Sequence, residues 1–156
     1  MDDLNNKTND SINILQNGNG ELCNLFAQIL NSDILQSSED LCVVTFMRSI
    51  QATIAGRTTV SPLSLNALFS FESIDAQGNA LNLGETVILQ GEINPFISAL
   101  QEQGIQVTGL HNHWLFDDPR LMYIHFFSIE NPIAFAVKVA IAFNVLEENF
   151  FEASPA

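Results

Sequence analysis

All three histidines of this 156-residue chain fall between positions 111 and 125. They sit in the strings Leu110-His111-Asn112-His113-Trp114 and Tyr123-Ile124-His125-Phe126-Phe127. Imidazole is the side chain that binds first-row metals, titrates near neutral pH and recognises polar ligands. Histidines two apart on a strand share a face, so His111 and His113 point together if their segment is extended. Three neutral imidazoles converging on one point would supply the donors of a catalytic metal centre with coordination positions left open. Glu92 is the candidate fourth member, as a ligand or as general base to a metal-bound water. The expected cofactor is therefore a divalent metal, with Zn, Fe, Ni, Mn and Cu all compatible with imidazole donors. Two other readings stand beside this one. The histidines could line a metal-free pocket for a polar small molecule, or simply hold structure.

The elements that must position these residues are legible in part. Leu22, Leu25, Phe26, Ile29 and Leu30 fall at helical spacing over residues 21–30. Residues 41–47 (LCVVTFM), 50–55, 67–73 and 85–90 (ETVILQ) read as strands, with Gly56 and Arg57 turning the chain after the second. Asn94-Pro95 fits an N-cap followed by Pro at the first helical position, and Gly104 supplies the stop of a helix over 94–103. Strands follow over 105–115 and 120–128, separated by the turn Phe116-Asp117-Asp118-Pro119. Asn131-Pro132 then repeats the helix start and opens an apolar helix to about Glu148. The second half reads β-α-β-β-α. Its crossover makes strands 85–90 and 105–115 parallel and directs Glu92 and His113 toward the same end. The predicted fold class is α+β: a two-layer mixed sheet with its helices on one face.

Whether His125 joins the other two depends on the loop between its strand and theirs. An odd loop such as Asp117 to Pro119 pairs residues whose numbers sum to 236, setting His111 opposite His125 with His113 diagonal. One face then carries Leu110, Trp114, Phe116, Met122, Ile124 and Phe126 as core. The other carries the three histidines and Tyr123, with Gly109 leaving space. A slip of one residue would mix the two sets. Around this cluster, Asn112 is expected to lock a turn through its amide, and Arg120 to pair locally with Asp117 or Asp118. Tyr123 is either an orienting donor or a packed aromatic. Arg48 and Arg57 are expected at solvated edges.

Composition narrows the partners. Apolar residues make up 47% of the chain, which at this length is enough to bury a substantial core. Five Lys and Arg against eighteen Asp and Glu give a formal charge of -13, and the five cations are scattered. Nucleic acid and anionic membrane are therefore excluded as expected partners. A small-molecule ligand is the expected partner, with a homo-oligomer through apolar helix 132–148 as a structural alternative. No phosphate-cradling glycine loop and no GxSxG elbow is present. Cys23 and Cys42 are expected as buried free thiols. With no leader-like segment at the N-terminus, that points to a cytoplasmic protein. Residues 1–20 read as a flexible tail, 21–150 as one domain and 151–156 as a C-terminal tail.

The stretch from Gly84 to Phe126 resembles the LppY/LpqO family, a bacterial family of unknown function. The resemblance is carried by Glu92-Ile93-Asn94-Pro95, by the helix ending in Gly104-Ile105, by Val107-Thr108-Gly109-Leu110-His111-Asn112-His113 and by Pro119-Arg120-Leu121 ahead of His125. A looser similarity extends over residues 41–146. It implies that Glu92, Asn94, Pro95, His111, Asn112, His113, Arg120 and His125 are shared features. It implies no particular activity. Some members of the family are exported lipoproteins, a property that does not transfer to a chain without a lipobox.

Overall fold

The computed structural model describes residues 18–146. The expected C-terminal tail and all but residues 18–20 of the N-terminal one lie outside them. The fold is α+β, with one six-stranded sheet and a small three-stranded sheet. Helix α1 occupies 18–29 and begins earlier than its apolar spacing implies. It leads into β1 (Asp33–Ser37), β2 (Leu41–Met47), β3 (Ala52–Ile54) and β4 (Arg57–Thr59). A single helical turn, α2 (Pro62–Leu65), precedes β5 (Asn66–Glu72) and β6 (Ala80–Leu89). The chain then runs through α3 (Ile93–Glu102), β7 (Gln106–Asn112), β8 (Asp117–Asp118), β9 (Leu121–Glu130) and α4 (Pro132–Phe143).

The strand order is β1-β2-β5-β6-β9-β7, and every hydrogen-bonded pair is antiparallel. The expected parallel direction of β6 and β7 holds, because both run antiparallel to β9. They are not neighbours, however, since β9 is inserted between them. The sheet is thus not mixed in its pairing.

Helices α1, α3 and α4 all contribute to one apolar cluster on one face of this sheet. Phe26, Phe69, Phe71, Phe96, Phe126, Phe135 and Phe143 are fully buried there. Their rings meet largely edge to face, as for Phe96 and Phe143 at 5.2 Å between centroids. Gly84 makes the packing feasible, because a Cβ at that position would lie 2.2 Å from the Phe126 ring. Most apolar side chains of α4, including Phe135, Val139 and Phe143, are spent on this intramolecular core; Val137 and Ile141 remain exposed.

Helix α4 starts as expected, with the Asn131 carbonyl oxygen Oδ1 accepting from the N–H groups of Ile133 and Ala134. Helix α3 does not. A 3₁₀ turn over Gln90–Glu92 precedes it, the helix begins at Ile93, and Asn94 lies within its first turn rather than at the cap. Pro95 is still tolerated there, because the first N–H groups of a helix have no internal partner. Gly104, at φ 77°, ends the helix as predicted.

The other face of the sheet is only partly covered. Ala52, Leu65, Val87, Leu121 and Tyr123 form a second, smaller cluster with Ile50, Leu89 and Trp114. The small sheet β4-β3-β8 stands beside it. Asp117 and Asp118 therefore pair with β3 instead of closing a tight hairpin. This displaces Phe116 from the expected core to a position 78% exposed, and moves Trp114 to the second cluster.

Two further expectations are overturned. Cys23 and Cys42 form a disulfide, joining α1 to β2 inside the core. By loop-closure entropy such a bridge stabilises by about 3 kcal/mol. Arg48 is 3% exposed, far from a solvated edge. No helix among the described residues is long and apolar enough to cross a membrane.

Candidate metal centre

The open face of β6 and β9 carries alternate residues in register: Leu81, Leu83, Glu85 and Val87 against Ile129, Phe127, His125 and Tyr123. Strand β7 extends the last two rows, with Gly109 opposite His125 and His111 opposite Tyr123. The paired numbers sum to 234, two fewer than the sequence register, so His111 does not face His125 directly. Faces are unchanged by an even shift, which is why the three histidines still gather. A Cβ at Gly109 would lie 3.4 Å from His125 Cδ2, an ordinary contact.

The rings of His111 and His125 stack at 4.8 Å between centroids, and those of His111 and His113 at 5.0 Å. One ligand nitrogen from each lies within 4.8 Å of the other two. His113 stacks in turn on the Tyr123 ring at 3.8 Å. That ring is fixed by its hydroxyl, which donates to the Ser64 carbonyl and accepts from Trp114 Nε1. Burial raises the Tyr123 pKa, with the Asp117 charge acting in the same sense and the Trp114 hydrogen bond against it. Tyr123 therefore serves as a packed platform, its hydroxyl committed elsewhere.

The three rings differ in their partners. His111 Nδ1 lies 3.3 Å from the Asn112 carbonyl, which can only accept, so Nδ1 is the donor of that pair. His125 Nδ1 lies 3.1 Å from Glu85 Oε2, and its Nε2 is buried without a hydrogen-bond partner. The His113 pKa is lowered, first by burial, then by the adjacent His111; Glu85 opposes the shift and His125 adds to it. The uncharged form of His113 is thereby favoured.

Glu92 is not brought to this cluster. It is 3% exposed and forms a two-pronged pair with Arg48, whose Nη1 and Nη2 donate to Oε2 and Oε1 at 2.8 Å. Oε2 also accepts from the Leu89 N–H, and Arg48 Nη1 donates to the Val87 carbonyl. The expected ligand or base is thus a buried strut tying the β6–α3 turn to the end of β2. Glu85 stands where Glu92 was expected. Its signal was available: it faces His125 once β6 and β9 are paired, but those strands were not assigned to each other in sequence.

Two smaller expectations hold. Asn112 Nδ2 donates to the Trp114 carbonyl, bracing the turn after β7, and Arg120 lies 3.4 Å from Asp117. Arg57 is exposed.

The sequence model of the family described as Domain of Unknown Function (DUF1259) matches residues 24–145. This chain belongs to that family. The span that makes it a DUF1259 domain contains the three histidines, Glu85 and the Arg48–Glu92 pair, and begins one residue after Cys23. No curated protein and no solved structure matches the chain.

Proposed function

We propose that this chain holds a divalent metal on His111, His113 and His125 and uses it to bind or transform a small molecule. The observation that carries the reading is His125. Its Nδ1 is held by a carboxylate while its Nε2 is buried and unpartnered. A buried polar atom left unpaired costs about 1–3 kcal/mol, and a carboxylate on the far nitrogen is the usual support of a metal-ligating imidazole. Tetrahedral zinc with bonds of about 2.0–2.1 Å sets its nitrogens about 3.4 Å apart, so the rings draw together on binding. The exposed His111 and His113 have the freedom to do so. A metal there would act as a Lewis acid or lower the pKa of a bound water.

A second reading, a ligand-binding module without catalysis, is favoured by one observation. Glu85 is engaged by His125 and Glu92 by Arg48, so among the described residues the candidate ligand set is three imidazoles with no free carboxylate to act as base. Both readings take the chain as LppY/LpqO-like, on the Glu-Ile-Asn-Pro and His-Asn-His motifs. Both also exclude nucleic acid, given the charge of -13. The Cys23–Cys42 bridge supports an oxidising compartment over the cytoplasm first expected.

Elemental analysis of untagged protein, wild type beside His111→Ala/His113→Ala, tests the reading. About one metal per chain is expected, lost in the variant. No uptake by the wild type from Zn, Fe, Ni, Mn or Cu salts would overturn it.

A further inference from the structure

A two-layer antiparallel sheet normally turns polar side chains to solvent on its uncovered face. Here that face is apolar on one side of the histidines. Val43 of β2, Leu68 of β5, Leu81 and Leu83 of β6 and Phe127 of β9 line a groove of about 520 Å³. Leu83 is 41% exposed, and the neighbouring Ile129 is 62% exposed. The groove runs directly into the candidate centre, because Glu85 and His125 form part of its wall. The row Val43–Ser70–Leu83–Phe127 lies next to the row Leu68–Glu85–His125 in the sheet register.

The size is that of a small-molecule pocket, and stable protein–protein contacts need a far broader surface. No Lys or Arg is among the described residues lining the groove, while Glu85 supplies a carboxylate. A free anionic head would be repelled at that end unless a metal on the histidines received it. From this continuity of apolar trough and donor cluster, we infer that the site takes an amphipathic small molecule. Its apolar chain lies along Leu83 and Phe127, and its oxygen-bearing head meets the histidines. The head's position rests on the metal reading above; the chain's position rests on the trough alone.

The test uses two hydroxamates that share one chelating head, octanohydroxamate and acetohydroxamate, titrated into zinc-loaded full-length protein by calorimetry. A fully buried methylene is worth about four-fold in affinity, so even partial seating of the longer chain gives at least about a ten-fold preference. Leu83→Asn, on the solvent side of the sheet, is expected to remove that preference and leave zinc stoichiometry and acetohydroxamate affinity unchanged. Val43→Thr, close in volume, is expected to reduce it in the same way should Leu83→Asn fold poorly. Equal affinity of the two hydroxamates in the wild type would overturn the trough and leave the metal centre standing. Octanol is then added to the metal-free protein and followed by NMR. Shifts confined to the amides of residues 81–85 and 125–129 would support the trough even if no zinc were taken up, in which case the metal reading alone falls.

Discussion

Two glutamates seven positions apart, one within β6 and one in the turn that follows it, each hold a basic partner, and their surroundings could hardly differ more. Glu92 is enclosed, and both of its oxygens are saturated by Arg48 and the Leu89 N–H. Glu85 has a side chain 43% exposed and meets one nitrogen of a histidine whose other nitrogen is left unpaired. A saturated, buried ion pair has no capacity for further chemistry. Its contribution is to fix where β2, β6 and α3 meet. A half-open carboxylate–histidine pair keeps a donor in reserve, and that reserve is what a metal or ligand can use.

The largest expected effect breaks the buried member. Glu92→Gln leaves Arg48 charged and uncompensated in the interior, which costs about 3–5 kcal/mol of stability. Urea unfolding followed by circular dichroism would register it as a lowered midpoint. Metal stoichiometry in the folded fraction should stay as in the wild type. A variant as stable as the wild type, or one that loses metal while staying folded, would erase the distinction between the two glutamates.

The opposite profile is expected at the open member. Glu85→Gln keeps an oxygen that can accept from His125 Nδ1 but removes the charge that strengthens the imidazole as a donor. Metal affinity should fall by about 10–100-fold, as when such supporting carboxylates are lost elsewhere. Stability should change by less than about 1 kcal/mol, because exposed pairs contribute little. Competition with a chelating dye reads the first quantity and urea unfolding the second. Unchanged affinity would reduce Glu85 to a surface partner.

Sequence pattern reached the histidine cluster by parity and missed its carboxylate by pairing. Alternation along 105–115 and 120–128 assigns His111, His113 and His125 to one face. Any even register error preserves that assignment, which is why a sum of 236 instead of 234 did no harm. Choosing between Glu85 and Glu92 needed tertiary knowledge. Arg48 is separated from Glu92 by four strands in sequence, and nothing local marks it as buried. Trp114 and Phe116 misled for a related reason: both fit the apolar alternation of a hairpin, but the chain leaves β7 at Asn112 and crosses to β3. The cysteines gave no motif spacing, and their bridge depends on α1 docking over β2. Asn131-Pro132 worked because a cap is satisfied within four residues of itself. Asn94-Pro95 failed because the Glu92 strut fixes the turn ahead of it.

The smallest expected effect sharpens the comparison within the open site. His125 is held by a carboxylate, whereas His113 is held by stacking on Tyr123, and burial there lowers its pKa below the ordinary 6.5. A histidine whose folded pKa is depressed binds fewer protons folded than unfolded between the lowered value and 6.5. Stability of the metal-free protein should therefore rise with pH through that window and level off above it. Acidification through the same window should weaken the fold, first by the cost of desolvating a charged ring and then by its proximity to His111. His113→Gln removes the titrating group while keeping a flat polar side chain on the Tyr123 ring. The difference in unfolding midpoint between wild type and variant, measured in chelator from about pH 5 to about pH 7, isolates this one histidine from the acidic residues that titrate in both. The wild type should lose more on acidification. Parallel pH profiles would mean that the stacking on Tyr123 does not shield His113 from water, and that its neutral form owes nothing to the fold.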